Sequence, residues 1–319
     1  MMSYVLTRLV RQFVPVVIVA SVLIFALTEL LPGDPAAIAL GETATPESVA
    51  AMRHEMGLDR PLPERYVRWL TAALQGDLGR STTGKSVTDL ITASAPPTLE
   101  LALVAFTFGN VLGVVLGVLA GIHRGGVIDV AIGVFTSLVI AIPSFVSGLI
   151  ILLIFTVWVS WLPSAGRVSL LGDPIEGARY LVLPVFALGS AVAAVVSRFT
   201  RQSIVDVLTN DFIRTARAKG LSGRAVIVRH ALKPSMLPVV TIIGVQLGGL
   251  IGGSIVIEQV FTRPGMGRLL IGAVNSKDYP TIQAITLLLV STYIVFNLLT
   301  DLLYAWLDPR LRPGLGSAR

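Results

Sequence analysis

The sequence predicts an all-α integral membrane protein with six membrane-spanning helices. Three observations predict this. Only 14% of the 319 residues are charged, against about 25% in a soluble domain. Hydrophobic residues make up 54% and the mean hydropathy is +0.80. Six stretches each hold the roughly 20 mostly apolar residues that a spanning helix needs.

The first stretch, Phe13–Leu31, follows Arg8 and Arg11. It exceeds the roughly 7–15 apolar residues of a signal peptide, so residues 1–31 are read as an uncleaved first span. Pro32–Thr98 carries Pro, Gly and mixed charge and reads as an insertion outside the bilayer. Within it, Thr45-Pro46-Glu47 has the N-cap and first-turn proline that open a helix. Leu62–Leu74 reads as another short helix. Leu99–Ile122 is the second span. Val127–Trp161, 35 residues long, contains Pro143 and reads as one long helix kinked or interrupted there. Tyr180–Val196, Leu237–Ile257 and Ile282–Leu307 complete the set. The core is thus 99–307, with an internal loop at 198–235 and a tail at 308–319.

Orientation follows from Lys and Arg, which favour cytoplasmic loops. With both termini in the cytoplasm, 14 of the 25 lie inside and 11 outside. Eight of the inner ones cluster between spans four and five, from Arg198 to Lys233. The net charge of +6 is therefore a topology signal, and no nucleic-acid partner is expected. The chain has no cysteine, and its histidines (His54, His123, His230) lie far apart. Disulfides, thiolate chemistry and a metal site are not expected.

Gly79–Ser86 spells GxxxxGK[ST]. A phosphate loop must leave a buried strand and open a helix. Leu74–Leu78 is no such strand, so nucleotide binding is not expected here. Gly109, Gly113, Gly117 and Gly121 repeat every four residues in span two, and Gly244, Gly248 and Gly252 in span five. Residues four apart share a helix face, and glycine there lets another backbone approach. Both stripes read as helix-packing seams. Polar groups deep in spans are rare; Asn110, Ser144 and Gln246 are candidates for a functional site within the membrane.

The internal loop contains Asn210-Asp211-Phe212-Ile213-Arg214-Thr215-Ala216-Arg217-Ala218-Lys219-Gly220-Leu221. Asn210 suits an N-cap, Asp211 and Lys219 suit the two ends of the helix dipole, and Gly220 suits the residue after the helix. A helix over 211–219 follows, too short to be stable unsupported. On it Phe212, Thr215, Ala216 and Lys219 share one face.

Thr215–Leu221, Arg229–Pro234 and Leu237-Pro238 resemble the cytoplasmic signature loop of ABC importer permeases, closest to the oligopeptide/dipeptide/nickel group. Arg214-Thr215-Ala216 stands where the general pattern has Glu-Ala-Ala, and Gly220 is kept. Leu31–Pro35, Gly57–Leu62, Gly76–Gly79, Ile142–Phe145, Glu258–Gly267, Asp278–Pro280 and Asp308–Arg310 resemble the same group, in order. The resemblance implies a type I ABC importer permease fold in a bacterial plasma membrane. It implies a second homologous permease subunit, two cytoplasmic ATPase subunits and an extracytoplasmic substrate-binding protein as partners. It implies no catalysis or cofactor in this chain, with ATP and Mg on the ATPases, and peptides as cargo, with nickel chelates or other small solutes as alternatives. Asp211, Phe212, Arg214, Thr215, Ala216, Arg217, Ala218, Lys219, Gly220 and Leu221 would form the ATPase-coupling helix, and Asn110, Ser144 and Gln246 would be candidates for the translocation path. The alternative, an ion-coupled carrier, lacks its usual series of buried acids and its internal repeat.

Overall fold

The computed structural model describes residue 11 and residues 13–30, 33–41 and 44–307. Arg8, Leu31-Pro32, Asp308-Pro309-Arg310 and the 308–319 tail lie outside the described residues. Regular structure among the described residues is helical, apart from an isolated bridge between Arg80 and Ser86. In order the helices are α1 Val14–Glu29, α2 Pro35–Leu40, α3 Pro46–Glu55, α4 Leu62–Leu74, α5 Val87–Ile122, α6 Val127–Ala141 and α7 Ser144–Trp158. Then come α8 Pro174–Leu208, α9 Asp211–Ala218, α10 Gly223–Val260, α11 Met266–Asn275 and α12 Tyr279–Leu307. The last turns of α7 and the first of α10 are π-helical, over Leu153–Trp158 and Val226–Ala231.

Among the described residues four helices, α5, α8, α10 and α12, are long and apolar enough to cross a membrane. The third apolar stretch is interrupted rather than merely kinked: α6 and α7 meet at 101°. Pro143 explains this, because it lacks an N–H and drives the residue before it out of the helical region. Ile142 accordingly sits at φ −95°, ψ 122°. α1 is shorter, at 16 residues. α5 starts at Val87, well before Leu99, and runs through Pro96 and Pro97. The two prolines do not break it, as spanning helices commonly tolerate proline.

Helix starts follow the local sequence. Asp34 accepts the Ala36 N–H (3.0 Å) ahead of α2. Thr45 and Ser48 form a reciprocal capping box ahead of α3. Asp173 accepts the Ile175 and Glu176 N–H groups ahead of α8. Each cap is followed by a first-turn proline. The side-chain oxygen satisfies amides that the helix leaves open, and proline has no amide to satisfy there.

The chain divides into two compact units. One comprises the described residues up to Thr98 together with Pro264–Val295. Its core joins Val87 and Ile91 of α5, Met266 of α11, and Ala284 and Ile285 of α12. The other comprises Leu99–Arg263 and the residues from Phe296 on. There α8 is the central helix: 72% of its apolar window is buried, which a lipid-facing helix could not show. Leu181, Leu183, Leu188, Val192 and Val196 of α8 cluster with Leu101 and Ala105 of α5 and with Val239, Leu250 and Ile257 of α10.

Candidate functional site

The most distinct polar element of the second unit is α9, lying between α8 and α10 in the chain. Asn210 precedes it in extended conformation, and its carbonyl accepts the Ile213 N–H at 3.1 Å. Its side chain makes no capping bond. The helix stops at Ala218, one residue before the expected end, with Lys219 as C-cap. Gly220 then takes φ +79°. The Gly220 N–H donates to Arg217 O (2.9 Å) and the Leu221 N–H to Ala216 O (3.4 Å). These two bonds satisfy the last carbonyls in a Schellman-like closure.

α9 is held by its inner face. Ile213 is fully buried and clusters with Ala216, Val226 and Ala231, against partly buried Val207 and Leu208. This corrects the expected face. Ala216 does not share an outward surface with Phe212; it turns inward with Ile213. The branched Ile213 side chain fills the site against the π-helical turn, and Ala216, one turn on at i+3, follows it inside. Phe212, Asp211, Arg214, Thr215, Arg217, Ala218 and Lys219 remain exposed, as do Arg224 and Arg229 nearby. The only ion pair on α9 among the described residues joins Arg214 to Asp211 at 3.3 Å across an exposed surface, which contributes little. The outward surface is therefore one aromatic ring amid cationic groups.

The three path candidates sit on different helices of this unit. Asn110 is buried in α5; its amide donates to Phe106 O at 2.7 Å, while its Oδ1 is buried without a partner. Ser144 opens α7 beside the break and is half-buried, as is Gln246 in α10. No described hydrogen bond links the three.

The first glycine stripe lies against α8. A Cβ at Gly109 would stand 2.6 Å from Gly189 O, at Gly113 2.7 Å from Val196 Cβ, at Gly117 2.5 Å from Ser197 O, and at Gly121 2.7 Å from Ile204 Cγ2. In α10, Gly244 faces Thr300 and Gly248 is buried. Gly252 departs from the expectation: it is exposed, with nothing within 4 Å of a Cβ. Its neighbour Gly253 takes the close contact instead, against Leu188. Among the described residues of this chain no element packs on Gly252.

Two charge clusters are not apparent from the sequence. Glu100 accepts from Arg263 (2.6 Å), Arg167 (3.0 Å) and the Leu170 N–H (2.8 Å), with Arg263 fully buried. Asp129, at the start of α6, is paired with Arg201 of α8 and accepts the Gly125 N–H. The available signal was a charge of each sign at the ends of apolar stretches.

The GxxxxGK[ST] segment is spent on its own turn. The Gly79 N–H goes to Asp77 Oδ1, Ser81 N–H to Lys85 O, Thr82 N–H to Asp278 Oδ1, Thr83 N–H to Ser81 Oγ and Gly84 N–H to Ser81 O. These amides are not free to cradle a phosphate, and a carboxylate occupies the loop instead.

Comparison with known proteins agrees with these features. Residues 113–313 match the family described as binding-protein-dependent transport system inner membrane component, and residues 1–102 match its N-terminal region. A glutathione transport system permease protein GsiC from Salmonella paratyphi A is 41% identical over 98% of this chain and 99% of its own. A probable peptide ABC transporter permease from Sinorhizobium fredii is 39% identical over 97% of this chain and 99% of its own. A solved structure of the inward-facing MetNI methionine ABC transporter shares the fold, with TM-score 0.56 at 19% identity over 69% of this chain and 96% of that one. The family match and the full-length similarity show the same thing: the chain belongs to the binding-protein-dependent inner membrane components, the permease subunits of bacterial ABC importers.

Proposed function

We propose that this permease carries peptide-sized solutes and is driven through α9. The chain spans the membrane six times in this reading, with both termini in the cytoplasm, and residues 32–98 form the extracytoplasmic insertion. A second homologous permease completes the path, two ATPases dock below, and a substrate-binding protein delivers cargo from outside. Asn110, Ser144 and Gln246 are the path residues.

The observation that carries the reading is the division of labour within α9. Ile213 and Ala216 lock the helix to its own chain, while Phe212, Thr215 and Lys219 are exposed. A short helix fixed on one side and bare on the other passes motion from a docked partner to α8 and α10. The cationic surroundings suit an acidic groove on the ATPase. Peptides are favoured as cargo because the relatives named above are a glutathione permease and a probable peptide permease.

The test is uptake into proteoliposomes holding both permeases and both ATPases, with the binding protein supplied. ATP-dependent uptake of labelled glutathione or a tripeptide supports the reading. Uptake that follows an ion gradient without ATP would sink it.

A further inference from the structure

We infer that α4 of the insertion lies in the membrane interface, with one face in the lipid and the opposite face lining an arginine-rich cavity. Every residue involved belongs to the first unit.

The depth of α4 is set by its bonds to α1. The Tyr66 hydroxyl meets Ser21 Oγ at 2.8 Å. Phe25 packs on both Tyr66 and Trp69, with ring centroids 5.6 and 5.9 Å away. Arg65 pairs with Glu29 through two bonds and lies over the Phe25 ring. Glu29 ends α1. At 1.5 Å per residue, Phe25 lies about 6 Å below Glu29 and Ser21 about 12 Å below it. As α4 advances from Arg65 to Trp69 its contacts stay within this stretch. An interfacial helix sits roughly 5–10 Å into the headgroup boundary, so the depth matches.

The faces of α4 agree with that placement. Pro63, Val67, Leu70 and Leu74 fall on one side at i, i+4, i+7 and i+11, and Val67 and Leu74 are strongly exposed. Leu23 and Leu27 of α1, the apolar helix that α4 packs on, are exposed as well. Both helices of the pair thus present bare apolar side chains. The opposite side of α4 carries Arg65, Arg68 and Ala72, while Glu64 and Thr71 fall between the two faces. Arg65, Arg68, Trp69 and Ala72 line a cavity of about 770 Å³ together with Arg53 and Arg60. Tyr66 and Trp69 are the aromatic types that concentrate at the membrane interface. The occupant of the apolar stripe is therefore the outer-leaflet acyl region of a phospholipid bilayer.

The placement rests on α1 being a span, as in the reading proposed above, and the leaflet on the orientation of that span. The natural absence of cysteine allows Val67→Cys, Leu74→Cys and Arg68→Cys to be labelled singly with a reducible fluorophore. The assembled transporter would be reconstituted in phosphatidylethanolamine/phosphatidylglycerol vesicles. Lipids spin-labelled near the headgroup should quench labels at 67 and 74 by about twofold or more, and the label at 68 far less. Iodide in the water should do the reverse. Equal iodide quenching at all three positions, or shielding of 67 and 74 from both quenchers by a protein partner, would overturn the inference. An impermeant reductant added outside separates it from the topology. If 68 is reached only from the lumenal side of right-side-out vesicles while 67 and 74 stay lipid-quenched, the topology fails and the interfacial placement stands.

Discussion

Truncating Ile213 separates the seating of α9 from its docking surface. Ile213→Ala removes three carbons from a fully buried side chain. At about 0.8 kcal/mol per carbon the lost transfer energy is about 2.4 kcal/mol. The cavity raises this toward the roughly 2–5 kcal/mol found for such truncations. The cluster around it is small: Ala216, Val226 and Ala231, with Val207 and Leu208 at its edge. An eight-residue helix has little stability without that support. A loss of about 3 kcal/mol shifts the seated-to-detached ratio by more than about 100-fold at 1.4 kcal/mol per decade. Phe212→Ala makes the contrast: its side chain is exposed and outside the cluster, so the change to the subunit's own stability is within about 0.5 kcal/mol. Both variants should lose the stimulation of ATP hydrolysis by loaded binding protein in the reconstituted complex. Only Ile213→Ala should expose Arg214 and Arg217 to rapid trypsin cleavage in the isolated permease. Full stimulation in Ile213→Ala, or equal trypsin sensitivity in the two variants, would refute the two-face reasoning.

Four further outcomes are expected. Gly220→Val places a β-branched residue at φ +79°, where a side chain costs about 1–2 kcal/mol; transport should collapse while membrane insertion, read by fractionation, stays normal. Lys85→Ala should leave ATP hydrolysis by the complex within about twofold, because the loop amides are already bonded and no strand leads into the loop as a phosphate site requires; loss of nucleotide binding by this subunit would contradict that. A cysteine at Thr83, which is exposed whereas Ser81 is buried against Asp278, should label from outside intact cells, and one at Ser222 only after permeabilisation. Asp34 is shifted below its usual 3.8: burial raises it, but the hydrogen bonds from Arg53 and the Ala36 N–H outweigh burial. A depressed folded value contributes stability that is present above the unfolded value and lost as pH falls through the folded one. The protection of the Ala36 amide, its exchange rate relative to the unstructured rate at the same pH, should therefore fall in acid in the wild type, and Asp34→Asn should remove that dependence.

The apolar stretches and the ends of α9 were legible in the sequence because each rests on local chemistry. Asp211 and Gly220 mark the dipole start and the left-handed exit whatever surrounds them. The prolines were less consistent guides. Pro143 broke its helix, while Pro96 and Pro97 did not break α5, since tolerance depends on whether neighbours satisfy the freed backbone. The face of α9 was not legible. Phe212 and Ile213 are both large and apolar, and only the shape of the π-helical turn decides which is buried. The third glycine of α10 was misassigned for a similar reason, because spacing along a helix does not say where a partner lies. The Glu100 cluster joins residues up to 163 positions apart, which no local pattern reveals.

Cross-linking from position 212 tests the central claim most directly. A photoreactive amino acid in place of Phe212, activated in membranes holding the assembled importer, should join this permease to a cytoplasmic ATPase subunit. The yield should change when ATP and loaded binding protein are added. The same group in place of Ile213 should give no ATPase adduct, because that position faces the permease's own core. An ATPase adduct from 213 but none from 212, or adducts from 212 to the extracytoplasmic binding protein, would contradict the account.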